Sequence, residues 1–167
     1  MLCIMHRPFA SLLSLLLCST ACVHRVAPVA PATRPLSDDE RAAIVSAGTR
    51  LFELAEGPVA VCVAIGDSLT TYEPELTVLR ELGPRAKLMR DCPPTYESMI
   101  YNPNVKRPRG YVDPYKLELR WPTLTSNAAT LVATLWQGTG FVSYRCDIIR
   151  GSPAWRASCT LIGRGVS

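Results

Sequence analysis

The sequence predicts an α+β domain in which two helices pack on an antiparallel β-meander. Three observations carry that prediction. A capping box opens an amphipathic segment at Ser37, a continuous apolar run follows it, and the C-terminal third alternates apolar and polar residues in strand-length blocks separated by tight turns.

The first helix is expected from Asp38 to about Glu56. Ser37 and Glu40 form the box, Asp38 and Asp39 put negative charge at the positive end of the helix dipole, and Gly57-Pro58 stops the helix. Ala43, Ile44, Ala47, Leu51 and Leu54 recur at spacings of three and four. "PVAVCVAIG" then reads as a short strand buried on both faces. "EPELTVLRELG" reads as a second helix with Pro74 in its first turn and Gly83 after its end, and "AKLMRDC" as a further strand. Pro93 to Pro114, rich in proline and basic residues, is a long irregular loop.

The meander comes last. "YKLELRW" alternates Tyr115, Leu117, Leu119 and Trp121 with Lys116, Glu118 and Arg120. "AATLVATLW" and "FVSYRCDII" flank the turn Gln137 to Gly140, and "WRASCTLIG" returns after "GSPA". Pairing Trp136 with Phe141 and Arg150 with Trp155 sets Leu135, Ala133 and Leu131 opposite Val142, Tyr144 and Cys146. The same count sets Ile148, Cys146 and Tyr144 opposite Ala157, Cys159 and Leu161. Ser143, Arg145, Asp147, Arg156, Ser158 and Thr160 then share the other face, and a slip of one residue would mix the two sets.

Two helices and an antiparallel meander ending in a Trp-bearing hairpin resemble the cone-shaped α+β roll of NTF2-like and cystatin-like proteins, over roughly residues 37–167. That fold hosts enzymes, binding modules and accessory domains alike, so the resemblance implies architecture and no particular activity.

Three segments are expected: a signal peptide over 1–21, a linker over 22–36 and one domain over 37–167. Arg7 precedes the apolar run "FASLLSLLLCSTAC", which falls short of the roughly 20 residues a membrane-spanning helix needs. Ser19-Thr20-Ala21-Cys22 resembles a bacterial lipobox, with Ser19 standing where the family has Leu, Val or Ile. The resemblance implies that Cys22 carries lipid and inserts into a bilayer. Val23 in place of Asp then implies sorting to the outer membrane, as in enteric-type bacteria. The alternative is simple secretion after cleavage near Ala21. "VHRVAPVAPATRP" is a semi-rigid Ala/Pro spacer.

Loss of Arg7 with the signal lowers the net charge from +4 to about +3, a mild balance. Nucleic acid is not expected as a partner of an exported protein. Of the seven cysteines, Cys62, Cys92, Cys146 and Cys159 lie in the domain, and four exported cysteines imply disulfides with three possible connectivities. Directly opposed strand residues have Cβ atoms about 4.5–5.5 Å apart, so the register selects Cys146–Cys159 and, by elimination, Cys62–Cys92. No CxxC motif or Cys/His pairing suggests zinc, and no cofactor is expected.

"IGDSLT" resembles the first conserved block of GDSL esterases and lipases, which implies Ser68 as a nucleophile at the end of a buried strand. In that family a histidine of an Asp-x-x-His motif is the base and an Asn of Gly-x-Asn-Asp helps form the oxyanion hole. Here both histidines, His6 and His24, precede the domain, and Asn102, Asn104 and Asn127 stand in other contexts. Lys87, Lys106 and Lys116 form no Ser-x-x-Lys arrangement. Asp67 and Ser68 are instead expected to close a turn and start the helix containing Pro74, with Glu73 and Glu75 at its positive end. The chain therefore reads as a non-enzymatic envelope lipoprotein, with serine esterase as the alternative. Tyr96, Tyr101, Arg107, Arg109 and Tyr111 in the long loop are the expected binding surface, for an envelope protein or a glycan.

Overall fold

The computed structural model describes residues 35–67, 70–95, 99 and 109–166. Helix α1 (Asp38–Phe52) begins with the capping box formed: the Glu40 N–H donates to the Ser37 hydroxyl and the Ser37 N–H to the Glu40 carboxylate. It ends four residues before the expected Glu56, where Leu54 and Ala55 both donate their N–H groups back to the Leu51 carbonyl in a tightened last turn.

The remaining elements are β1 (Val61–Gly66), β2 (Thr71–Tyr72), α2 (Leu76–Leu82), β3 (Ala86–Leu88), β4 (Tyr115–Arg120), β5 (Thr123–Leu124), β6 (Ala128–Gln137), β7 (Gly140–Arg150) and β8 (Trp155–Val166). Together they make two helices and one open, mostly antiparallel, eight-stranded sheet, ordered β2-β1-β4-β6-β7-β8. β3 joins the β2 side of β1, and β5 extends the β4 side of β6. No helix among the described residues is long and apolar enough to cross a membrane.

Three local expectations need correction. Asp67 starts no helix: its backbone N–H donates to the Thr70 carbonyl and its carboxylate accepts the Thr70 N–H, which folds the chain back into the β1–β2 hairpin. Pro74 therefore precedes α2, which begins at Leu76 with Glu75 as its N-cap residue. Glu75 stands at the start of α2 as expected, and it also pairs with Arg41 and accepts the Leu36 N–H, while Glu73 pairs with Arg90. The strand expected from "AKLMRDC" stops at Leu88, and Met89–Asp91 form one 3₁₀ turn.

β1 is buried along its whole length and is the one place where the sheet departs from an antiparallel meander. It runs parallel to both β3 and β4, pairing Val63 with Leu88 on one side and with Leu117 on the other. A central strand with parallel neighbours reads as a continuous apolar run, as "VCVAIG" does. From β6 onward the meander follows the expected register, including Trp136 opposite Phe141, Leu131 opposite Cys146, and Cys146 opposite Cys159. A bulge at Ser143/Tyr144 interrupts β7–β8 pairing.

Both helices lie on one face of the sheet. Ile44, Ala47, Leu51, Val78 and Leu82 pack there against Val63, Leu117, Leu131 and Ile148. Burying each of the Val, Leu and Ile side chains contributes about 1.5–3 kcal/mol. The two disulfides divide between the faces. Cys146–Cys159 lies in the core under the helices, whereas Cys62 alternates with core-facing Val61 and Val63 and bridges to Cys92 on the face opposite α1 and α2.

Candidate functional site

The residues expected to function separate into two groups. Cys22, Ser68, Tyr96, Tyr101 and Arg107 lie outside the described residues. Arg109 and Tyr111 are described, and they flank a depression of ≈ 370 Å³ walled by Pro58, Val59, Pro93 and Val112. The Tyr111 hydroxyl donates to the Pro94 carbonyl, which ties the two ends of the long loop together. Burial raises the Tyr111 phenol above its ordinary pKa of 10.0, and the negative charge of Asp113 adds to the rise. With its hydroxyl engaged within the chain, Tyr111 offers this surface mainly the flank of its ring.

Around Ser68 the described chain is built for a tight reversal. Gly66 and Thr71 pair across the hairpin, and Asp67 holds Thr70 through backbone and side chain. Both histidines of the sequence fall before residue 35, so this hairpin has no imidazole of the domain near it.

The face of the sheet opposite α1 and α2 carries side chains in cross-strand rows. Val132, Arg145 and Thr160 form one row, Thr134, Ser143 and Gly163 the next, and Trp136, Phe141 and Gly165 a third. Arg120, one residue past the Leu119–Ala133 pair, borders a ≈ 340 Å³ depression with Val132, Arg145 and Asp147. Arg120 and Arg145 form no ion pair among the described residues, in contrast to Arg41, Arg50, Arg90 and Arg150. The Trp136 and Phe141 rings sit 4.9 Å apart between centroids, tilted by 43°. The indole Nε1–H donates to Glu118 at 3.3 Å, and Glu118 in turn pairs with Lys116 at 2.5 Å. Phe141 covers Gly165, where a Cβ would come within 2.8 Å of the ring.

A third concavity, of ≈ 550 Å³, opens on the helix side, beyond the end of α1. Leu54, Tyr115, Leu135, Val142 and Tyr144 line it, with Arg164 at its edge. Its size lies within the range of small-molecule sites. Among the described residues there is no group of three His, Cys, Asp or Glu side chains placed to hold a metal ion.

The expected loop surface did not include Arg120, Trp136 or Arg145. Alternation already put Arg145 on the polar face of the terminal hairpin and Arg120 on the polar side of its own strand. What joins them is the pairing of β4 with β6, which no local pattern specifies. Compared with known proteins, the chain matches no protein-family model, no curated protein and no solved structure.

Proposed function

We propose that this chain is a lipid-anchored protein of the bacterial envelope whose α+β domain binds a partner or ligand, or serves structurally, without catalysing a reaction. The observation that carries the reading is the closure of all four domain cysteines into two disulfides. Such bonds persist in oxidising compartments such as the periplasm. The lipobox-like Ser19 to Cys22 and the Ala/Pro spacer after it supply the anchor and the reach, and Val23 favours the outer membrane, facing the periplasm. Helices packed on one face of a strongly paired meander support an NTF2-like or cystatin-like roll as the architecture.

Metabolic labelling with a palmitate analogue tests the anchor. Label is expected on the wild-type chain and absent from Cys22→Ser; equal labelling of the two would refute lipidation at Cys22. A short acyl ester tests the absence of catalysis. Hydrolysis that Ser68→Ala abolishes would replace this reading with a serine esterase.

A further inference from the structure

The face of the sheet opposite α1 and α2 presents cations and rings that the core does not use. We infer that this face binds an anionic glycan, a sugar chain bearing carboxylates. Arg120 and Arg145 take the carboxylate, and the Trp136–Phe141 pair takes the apolar face of a sugar ring. The inference rests on the domain's being a binding domain and adds the chemical class of its ligand.

Charge selects an anion. Arg120 and Arg145 border one depression from strands two apart, and neither has a carboxylate partner among the described residues. Adjacent strands lie about 4.8 Å apart, so the two backbones stand about 10 Å apart and both side chains can reach a group centred over Val132. Guanidinium forks match carboxylate geometry and hold it through paired charge-assisted hydrogen bonds. Among the described residues Asp147 is the one acid bordering that depression; Asp67 and Glu118 border the adjoining hollow between Arg120 and Trp136, where Glu118 pairs with Lys116. Arg156, on β8 of the same face, is a third cation without an ion pair among the described residues.

The remaining chemistry selects a sugar. A pyranose has apolar C–H faces and a rim of hydroxyls, so it needs a ring to stack on and short polar groups beside it. The Trp136–Phe141 pair is fixed in orientation by the indole bond to Glu118 and by the seat of Phe141 on Gly165. Thr130, Ser158 and Thr160 offer hydroxyls at strand spacing, beside Thr134 and Ser143, whose hydroxyls bond each other at 3.1 Å. Gly163 leaves room beside Ser143, because a Cβ there would meet nothing within 4 Å.

The test uses the detergent-solubilised full chain in affinity electrophoresis through gels containing polygalacturonate. Fully methyl-esterified pectin, the same sugar backbone with its charge removed, is the control. Polygalacturonate is expected to retard the wild-type protein, added salt to weaken the effect, and the methyl ester to leave migration unchanged. The exposed double variant Arg120→Gln/Arg145→Gln should bind at least about tenfold more weakly, as expected for losing charge-assisted hydrogen bonds. Phe141→Leu, which keeps an apolar side chain but removes the ring, should also weaken binding. Intact disulfides and an unchanged near-ultraviolet circular dichroism spectrum certify that each variant is folded. Equal retardation by the methyl ester, wild-type affinity in the double variant, or no retardation at all would overturn the assignment. So would tighter, arginine-dependent binding of a single-stranded oligonucleotide. Palmitate labelling and ester hydrolysis on the same preparation read the underlying function separately, so the two claims fail independently.

Discussion

A Cβ on Gly66 would lie 2.0 Å from the Thr70 carbonyl oxygen, far inside any real contact. That oxygen accepts the Asp67 N–H, so it cannot retreat without opening the β1–β2 hairpin. Gly66→Ala is therefore expected to destabilise the domain by about 1–3 kcal/mol, the range for forcing extra atoms into a packed site. Asp67→Ala, which removes the side-chain acceptor of the Thr70 N–H, should cost about 1 kcal/mol. Urea unfolding midpoints measure both, and a Gly66→Ala protein as stable as wild type would contradict the hairpin geometry. The first two letters of the Gly-Asp-Ser-Leu string thus have structural reasons that need no catalysis.

The disulfides should differ in what they contribute. Cys146–Cys159 closes a separation of 13 residues and Cys62–Cys92 one of 30. Constraining the unfolded chain gives on the order of 3 kcal/mol for the shorter loop and about 0.7 kcal/mol more for the longer. Cys62→Ala/Cys92→Ala should accordingly lower stability more than Cys146→Ala/Cys159→Ala. The longer bridge also ties the start of the long loop to the sheet, while the shorter one joins strands already paired by their own ladder. Denaturant unfolding of the two double variants ranks them, and the reverse order would show that loop entropy does not decide.

Arg85 anchors the end of α1 to the entry of β1. Its guanidinium donates to the carbonyls of Val59 and Ala55, each at 2.9 Å, and reaches Phe52 at 3.5 Å. A cation bonding the last carbonyls of a helix also meets the negative end of its dipole. Arg85→Ala is expected to cost about 2 kcal/mol, since three acceptors lose one donor group. Arg85→Lys should recover less than half of that, because an ammonium on a flexible stem does not span acceptors that a planar fork serves together. Urea unfolding of the pair is the check, and full rescue by lysine would reduce the role to charge alone.

Where the pattern was local, it was legible. The box at Ser37 and Glu40 fixed the start of α1, and period-two alternation with short turns fixed the β6–β7–β8 register down to the opposed cysteines. The parallel pairing of β1 with β3 and β4 was not legible, because parallel neighbours meet through long crossovers and β1 is apolar on both faces. β2 has two residues and leaves no periodic trace, so Asp67 read as a helix start. The same limit applied to the arginine site. Arg145 could be placed on a face, but its neighbour Arg120 arrives through the β4–β6 ladder, a relation between segments rather than within one.

Tyr111 gives the domain a dependence on alkaline pH. Burial, and then the Asp113 charge, raise its folded-state pKa above the ordinary 10.0, and its protonated hydroxyl donates to the Pro94 carbonyl. The folded chain thus holds this proton more tightly than the unfolded chain does. The resulting stability is fully present below pH 10 and is lost as pH rises through the raised folded value, where the hydroxyl can no longer donate. Tyr111→Phe should cost about 0.5–1 kcal/mol near neutrality through the lost hydrogen bond. It should also remove part of the decline in stability above pH 10. An ultraviolet titration of phenolate, wild type minus Tyr111→Phe, is expected to show a midpoint above 10. A difference curve centred below 10 would mean that the ring and its hydroxyl face water, and that the two ends of the loop are not joined through Tyr111 and Pro94.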